Sequence, residues 1–122
     1  AKKYDLIVRR NDSFYLKVVL SNEDGTAYNI TSVAGLAYKA SLLIYNSNDE
    51  IILGFTSTND EAPPIINQSI AVTKETATLV ISANADNMGI YTGSYKYKLV
   101  VSEATDNETN TVMVGKFKII DI

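Results

Sequence analysis

The stretch GSYKYKLVV, residues 93–101, decides the fold, because apolar and polar side chains alternate along it. An extended chain points successive side chains to opposite faces, so a period of two is typical of a β-strand with one buried face. The side chains that would share the buried face are Tyr95, Tyr97, Leu99 and Val101. The stretch VMVGKFKII, residues 112–120, follows a similar pattern. We predict that these two strands pair and that the polar loop at residues 103–110 joins them.

Further short strands precede this pair. Apolar or alternating runs predict them at residues 4–9, 14–20, 38–44, 51–55, 65–72 and 76–82, and polar turns such as NSNDE at residues 46–50 separate them. Residues 28–30 are a further short candidate, and residues 83–88 fit one helical turn with Ser82 as its N-cap. We therefore predict an all-β protein, a two-sheet β-sandwich of about seven to nine antiparallel strands in one domain, residues 1–122.

Composition narrows the class of protein. The 122-residue chain is 46% hydrophobic, which is enough to bury a core within one domain. It contains no cysteine, so disulfides and thiolate metal sites are excluded. Its net charge of -3 argues against a nucleic-acid binder, because such proteins gain affinity by neutralising phosphates. No apolar run approaches the roughly 20 residues that cross a bilayer. We expect neither nucleic acid nor membrane as a partner.

Catalytic side chains are scarce. The sequence has no histidine, which excludes Ser-His and Cys-His nucleophiles as well as imidazole ligands. The remaining candidates are pairs of acids in polar loops, where carboxylates are ordinarily solvated: Asp49 with Glu50, Asp60 with Glu61, and Asp106 with Glu108. Residues 22–25 and the acids of residues 103–108 are weak calcium candidates that ordinary turn chemistry also explains. We predict no catalytic residue, no cofactor and no metal site, and we expect a protein that is not an enzyme.

Four lysines alternate with the apolar residues of the two decisive strands. They are Lys96, Lys98, Lys116 and Lys118. If the strands pair, all four lie on one outward face, while Tyr95, Tyr97, Phe117 and Ile119 point to the core. Such a face suits contact with an acidic partner surface. The alternative is a solvated face whose lysines prevent the pairing of a sheet edge.

The segment MGIY, residues 88–91, is a second candidate contact. The chain has eight tyrosines, which are more than a core of this size needs, and an exposed tyrosine anchors a contact at low entropic cost. Met88, Ile90 and Tyr91 are therefore candidate interface residues. Burial of the segment beneath the neighbouring corner of the sandwich is an equal alternative.

The run LVISA at residues 79–83, then Met88 and TGSYKYKL at residues 92–99, resembles the corner between strands E and F of immunoglobulin-like domains. In this resemblance Tyr95 is the corner tyrosine, whose hydroxyl group bonds to nearby backbone, and Tyr97 takes the position of the second cysteine. The chain lacks the cysteines and the tryptophan of antibody domains. The resemblance thus implies an immunoglobulin-like architecture in which a large aromatic side chain fills the core.

The whole chain also resembles small structural domains of bacteriophage virions, which occur in tail, baseplate and head accessory proteins. The segments that carry the resemblance are NDSF at 11–14, EDGTAYNIT at 23–31, LVISA at 79–83, GSYKY at 93–97 and GKFKI at 115–119. The resemblance implies a non-enzymatic virion structural protein, an accessory or connecting subunit on the capsid or tail. Its partners would be other virion proteins in a symmetric assembly, and it would reside in the virion after synthesis in the host cytoplasm.

Two other functions stay open. A carbohydrate-binding or adhesin-like module would use an exposed aromatic ring, for which Tyr91 is the candidate, although the tryptophan that such modules favour is absent. A domain of a larger surface protein is the other. For the virion protein, residues 1–5 are a candidate for strand addition to a neighbouring subunit.

Overall fold

The computed structural model of the protein describes residues 2–20, 38–59, 61–73, 78–103 and 109–121. Within those ranges the chain forms ten β-strands and one short 3₁₀ helix, Ala85–Met88. The strands are β1 (Lys2–Lys3), β2 (Leu6–Arg9), β3 (Phe14–Val19), β4 (Tyr38–Tyr45), β5 (Ile51–Thr56), β6 (Ile65–Ile66), β7 (Ile70–Thr73), β8 (Thr78–Ala83), β9 (Gly93–Glu103) and β10 (Thr109–Ile120). The prediction of an all-β protein is confirmed. Two of the ten strands have only two residues, so the predicted count of seven to nine was close.

The strands form two sheets. The large sheet has the order β1-β10-β9-β4-β5-β6, and β2 also pairs with β10. The small sheet has the order β3-β8-β7. The prediction that all strands are antiparallel is wrong at the margins of the large sheet, where β1 and β2 run parallel to β10 and β6 runs parallel to β5. No tight turn joins these short strands to their partners, so a hairpin does not constrain their direction.

The strand order is that of an immunoglobulin-like sandwich. In such domains strands G, F and C form one sheet, which variable-type domains extend by two further strands, while B, E and D lie together in the other. Here β10, β9 and β4 occupy the places of G, F and C, and β5 and β6 extend that sheet. The small sheet supplies B, E and D as β3, β8 and β7. The predicted two-sheet β-sandwich is therefore confirmed, and its strand order is compatible with the immunoglobulin-like architecture that the resemblance implies.

The hairpin β9–β10 forms as its alternation predicts. Lys96 lies opposite Lys116, and Tyr95 lies opposite Phe117, with one bulge between Thr111 and Met113. Because directly opposed residues share a face, this register buries the aromatic and aliphatic side chains together. Residues 104–108 of the predicted connecting loop lie outside the described residues.

An aromatic cluster fills the core between the sheets. The ring of Phe14 lies 5.6 Å from that of Phe55 and 5.7 Å from that of Phe117, and Tyr97 packs edge-on against Phe117 at 6.4 Å. Phe14 comes from the small sheet and the other three from the large one, so these contacts join the layers. Tyr97 is 3% exposed, and its ring fills the core at the position that an antibody domain gives to cysteine.

Two local predictions meet different outcomes. The loop at residues 46–50 is a hairpin loop, in which the Asn46 carboxamide oxygen accepts the backbone N–H groups of Asn48 and Glu50. The helical turn exists, but Ser82 is not its N-cap, because Ser82 still belongs to β8. Asn84 occupies the N-cap position and makes no side-chain capping bond. The strand candidate at residues 28–30 lies outside the described residues.

Candidate interaction site: the cationic face of the large sheet

The four predicted lysines lie on one face of the β9–β10 hairpin. Lys116 is directly opposite Lys96, Lys98 is opposite Val114, and Lys118 is opposite Ser94. Lys98 is half-buried and the other three are exposed. The residues between them are buried, as Tyr97, Phe117 and Ile119 are 3%, 0% and 2% exposed. The outward orientation of the lysines is thus confirmed, whereas a partner for them stays a prediction.

The N-terminal strands enlarge this face with residues that the sequence pattern did not single out. Lys3 of β1 pairs with Val114, and Arg9 of β2 pairs with Ile120. Both side chains are exposed, and between them Ile7 is 70% exposed opposite Lys118. We call this surface the cationic face, and it comprises Lys3, Arg9, Lys96, Lys98, Lys116 and Lys118.

The cationic face lies within the sheet and not along an open edge. β10 has β9 on one side and β1 and β2 on the other, and β9 lies between β10 and β4. The alternative that these lysines prevent edge pairing is therefore wrong, because the backbone groups of both strands are already paired across the hairpin and with their outer neighbours. Their charge acts outward from the sheet.

Two carboxylates lie close to the cationic face. Asp49 Oδ1 is 3.8 Å from Lys96 Nζ, but both side chains are more than two-thirds exposed, so this ion pair is weak. Asp5 Oδ1 accepts the backbone N–H of Lys116 at 2.9 Å. Lys96 and Lys116 remain directly opposed like charges, an arrangement that destabilises a sheet.

An apolar depression lies among these charges. It has a volume of about 280 Å³ and is lined by Tyr45, Lys96, Tyr97, Lys98, Val114 and Gly115. The Lys98 ammonium group lies over the Tyr45 ring, 5.5 Å from its centroid, within the range of a cation–π contact. The face thus offers an apolar recess surrounded by positive charge.

The corner segment divides into buried and exposed residues. Met88 is 1% exposed within the core, and Ile90 is half-buried against it. The prediction that Met88 is a contact residue is wrong, because its side chain closes the core beneath the corner. Tyr91 is 77% exposed, and the Arg10 guanidinium lies 5.3 Å from its ring centroid. Tyr91 alone in this segment offers a large exposed side chain.

The tyrosine corner is present. The hydroxyl group of Tyr95 donates a hydrogen bond of 2.6 Å to the backbone carbonyl of Tyr91, four residues earlier. This bond fixes the entry of the chain into β9, and therefore the start of the strand that carries Lys96 and Lys98. The role that the resemblance implied for Tyr95 is confirmed.

A second tyrosine hydroxyl group holds the N-terminal segment. Tyr97 donates a hydrogen bond to the backbone carbonyl of Tyr4, and the backbone N–H of Tyr4 donates to Val114 at 2.9 Å. Burial, with smaller contributions from Asp5 and Tyr4, raises the pKa of Tyr97 to about 12. Lys2 and Lys3 pair with β10 of their own chain, and β1 forms the edge of the large sheet, so strand addition of this segment to a neighbouring subunit stays a prediction.

The carboxylates form no reactive cluster in the part of the chain that the structure describes, where no three side chains of the His, Cys, Asp and Glu types could hold a metal ion. Asp49 and Glu50 are exposed, and Glu61 forms an ion pair with Lys39. Asp60, residues 22–25 and residues 104–108, which include the other acidic candidates, lie outside the described residues. None of the described helices has the length and hydropathy of a membrane span.

Comparison with known proteins adds no family. No protein-family model matches the sequence. No curated protein matches it either. The cationic face itself therefore has to suggest the function.

Proposed function

We propose that the chain is a non-enzymatic structural protein of a bacteriophage particle, an accessory or connecting subunit on the capsid or tail, and that its cationic face binds an acidic surface of another virion protein. The observation that carries this proposal is the collection of six cationic side chains on one face of a protein whose net charge is -3. The resemblance of the sequence to small virion domains is the reason for naming the particle.

The opposed pair of Lys96 and Lys116 supports a partner with negative charge. Two like charges directly across a strand pair cost stability in the free domain. A carboxylate that a partner places between them relieves that repulsion, so the free energy that the repulsion costs the isolated domain is recovered when the partner binds. Complementary charge also steers the encounter and fixes its orientation.

The apolar depression supports a protein partner over a simple anion. An interface gains most of its affinity where an aromatic or aliphatic anchor fills a pocket surrounded by a polar rim. The recess beside Tyr45 and Gly115 fits one such anchor, with Lys96 and Lys98 at its rim. Repeated copies on a symmetric particle would then add avidity to a weak single contact.

The composition of purified particles tests the location. We expect the protein in particles released by the organism that encodes the chain, banded by density and measured by quantitative mass spectrometry. Its copy number should be a fixed ratio to the major capsid or tail protein. Recovery of the protein only from the particle-free fraction would contradict the proposal.

Charge reversal tests the face. We expect the double variant Lys96→Glu/Lys116→Glu to bind about tenfold or more weakly to particles that lack the protein, because about 1.4 kcal/mol of lost attraction suffices for that factor. Wild-type binding should weaken as salt is added, since exposed charges are screened. Lys17→Glu is the matched control, because Lys17 is exposed on the small sheet. Equal binding by both variants would exclude the cationic face as the contact.

A further inference from the structure

A polar pocket opens at one end of the small sheet, away from the cationic face. It has a volume of about 220 Å³ and is lined by Ile66, Asn67, Gln68, Ser69, Ser82, Ala83, Asn84 and Asn87. Six of these eight residues carry an amide or a hydroxyl group, and none is charged. The lining therefore favours a neutral ligand with many hydrogen-bonding groups.

Some lining residues use their side-chain hydrogen bonds within the protein, and others have side chains that are available to a ligand. The Asn67 carboxamide bonds twice to the backbone of Glu61, and the Ser69 hydroxyl group donates to the carbonyl of Ile66 at 2.7 Å. By contrast, the side chains of Ser82, Asn84 and Asn87 make no hydrogen bond to the described residues. The absence of such a bond is unusual for Asn84, because the side chain of an asparagine at an N-cap ordinarily accepts a hydrogen bond from the backbone of the turn that it begins.

Gln68 is held in an unusual conformation at the rim of the pocket. Its φ of 56° lies in the left-handed region, which residues other than glycine seldom adopt. The backbone N–H of Gln68 donates to Thr58 at 2.8 Å, which fixes the turn. The exposed Gln68 carboxamide is a further donor and acceptor with no hydrogen bond to the described chain.

An exposed tyrosine lies opposite one of the residues that line this pocket. Tyr15 is 67% exposed, and its cross-strand partner on β8 is Ser82, which lines the pocket. Directly opposed residues share a face and have Cβ atoms about 5 Å apart, so Tyr15 lies on the same face of the small sheet as Ser82 and within reach of a ligand that extends out of the pocket. A tyrosine beside adaptable amide and hydroxyl groups combines apolar area with hydrogen bonding.

We propose that this pocket, together with Tyr15, binds a neutral saccharide. The amide and hydroxyl groups match the alternating donors and acceptors of sugar hydroxyl groups, and the tyrosine ring covers the apolar C–H face of the sugar. The volume is below the roughly 300–1,000 Å³ of sites for drug-sized ligands, so the pocket takes one sugar ring and leaves the rest of a chain outside. The site is separate from the cationic face, and the proposal does not depend on the virion assignment.

The location differs from the one that the sequence pattern suggested. Tyr91 is the aromatic ring that the sequence pattern suggests, and the Arg10 guanidinium lies over one face of it, 5.3 Å from the ring centroid. Tyr15 has the polar pocket beside it and Tyr91 has a cation. The two exposed tyrosines therefore form a matched pair for an experiment.

A titration followed by ¹⁵N–¹H NMR tests the proposal. The probes are the methyl glycosides of glucose, galactose, mannose and N-acetylglucosamine and their disaccharides, with glucuronate as a charged comparison. We expect saturable shifts at residues 67–69 and 82–87 for at least one neutral probe, with a Kd on the order of 1 mM, a typical affinity for a site of one ring.

Substitutions then test whether the saccharide binds at this pocket. Tyr15→Ala and Asn87→Ala should each weaken binding about fivefold or more, and Tyr91→Ala should leave it unchanged. Both Tyr15 and Asn87 are exposed, and the spectrum of each variant shows whether it is folded. No saturable shift with any neutral probe overturns the proposal. Binding of glucuronate alone, or binding that Tyr91→Ala abolishes and Tyr15→Ala does not, overturns it as well.

Discussion

Tyr97 acts both in the core and on the N-terminal segment. Its ring packs against Phe117 in the core, and its hydroxyl group reaches the backbone of Tyr4 at the other end of the chain. A buried hydroxyl group needs such a partner, because an unsatisfied one costs about 1–3 kcal/mol. The bond therefore ties the N-terminal segment to the hairpin that carries the cationic face.

The raised pKa of Tyr97 predicts a loss of stability at alkaline pH. In the unfolded chain Tyr97 ionises near its ordinary value of 10, whereas in the fold its pKa is about 12. Between these values the unfolded state releases the proton first, so a contribution that is complete below pH 10 is lost as pH rises towards 12. We expect a loss of up to about 1 kcal/mol by about pH 11, since solvent near the partly buried hydroxyl group screens the effect.

Urea unfolding of the wild type and of Tyr97→Phe at about pH 9 and about pH 11 measures this effect. The other seven tyrosines are present in both proteins, so their titration cancels in the comparison. The stability difference between the two proteins should change by about 1 kcal/mol in favour of the variant at the higher pH. An unchanged difference would contradict the pKa shift.

Residue-level features were predictable where a local pattern defines them. The glycine, serine and tyrosine at residues 93–95 mark the corner, and the bond from Tyr95 to Tyr91 spans only four residues. The bond from Tyr97 to Tyr4 joins residues 93 positions apart, and no local pattern encodes it. Tyr15 and the polar pocket could not be predicted for the same reason, because β3 and β8 bring their residues together only in the folded sheet.

At the scale of elements, the N-terminal segment crosses the last strand at a glycine. A Cβ atom on Gly115 would lie 2.0 Å from the carbonyl oxygen and 2.7 Å from the carbonyl carbon of Tyr4. Backbone cannot yield as the end of a flexible side chain does, and Tyr4 is also held by its bonds to Val114 and Tyr97. Gly115 is therefore required for β1 and β2 to lie on β10.

Gly115→Ala should displace this segment and destabilise the fold. We expect a loss of about 1–3 kcal/mol in the free energy of unfolding, and faster hydrogen exchange at the amide of Tyr4. Gly89→Ala is the control, because a Cβ atom there would meet only the Asn11 side-chain oxygen, at 3.4 Å. Urea unfolding and hydrogen exchange measure both variants. Equal stability of the two would show that the segment does not depend on this close approach.

Strands with a strong period of two were predictable, and the margins of the large sheet were not. Apolar and polar residues alternate along β9 and β10, so the sequence identifies the buried face of each strand. The pairing and register of the two strands could be predicted from those faces. β1 and β6 have two residues each, too few to show a period, and their parallel pairing depends on where the folded chain returns. No local pattern shows that β1 and β2 pair with β10, so Lys3 and Arg9 were missing from the predicted lysine face, and the face was mistaken for a possible edge.

At the scale of the whole molecule, charge and polarity are distributed unevenly over the two sheets. The outward face of the large sheet carries the cationic face with its apolar recess, although the chain as a whole is acidic. The small sheet carries Tyr15 and the uncharged polar pocket. Two surfaces of different chemistry on opposite layers would allow a sandwich to bind a neighbouring subunit by one sheet and a sugar by the other.

The opposed lysines of the cationic face predict that the isolated domain is less stable than it could be, because the charges that bind a partner repel each other in the free protein. Lys116→Glu would place opposite charges directly across the strand pair at Lys96, so we expect the isolated domain to gain about 0.2–1 kcal/mol. The gain should shrink at high salt, because the pair is exposed and screened. Lys118→Glu is the control, since its partner Ser94 is uncharged and no comparable gain is expected. Both variants should bind particles more weakly if the cationic face is the contact.

Urea unfolding at low and high salt, together with particle binding, distinguishes this trade-off from a merely solvated face. A solvated face predicts that Lys116→Glu stabilises the domain and binds as well as the wild type. A contact face predicts the same stabilisation with weaker binding, because the new carboxylate at position 116 would neutralise Lys96 and repel the carboxylates of an acidic partner. Loss of stability in Lys116→Glu would contradict both, since it would mean that the opposed lysines do not repel each other in the folded sheet.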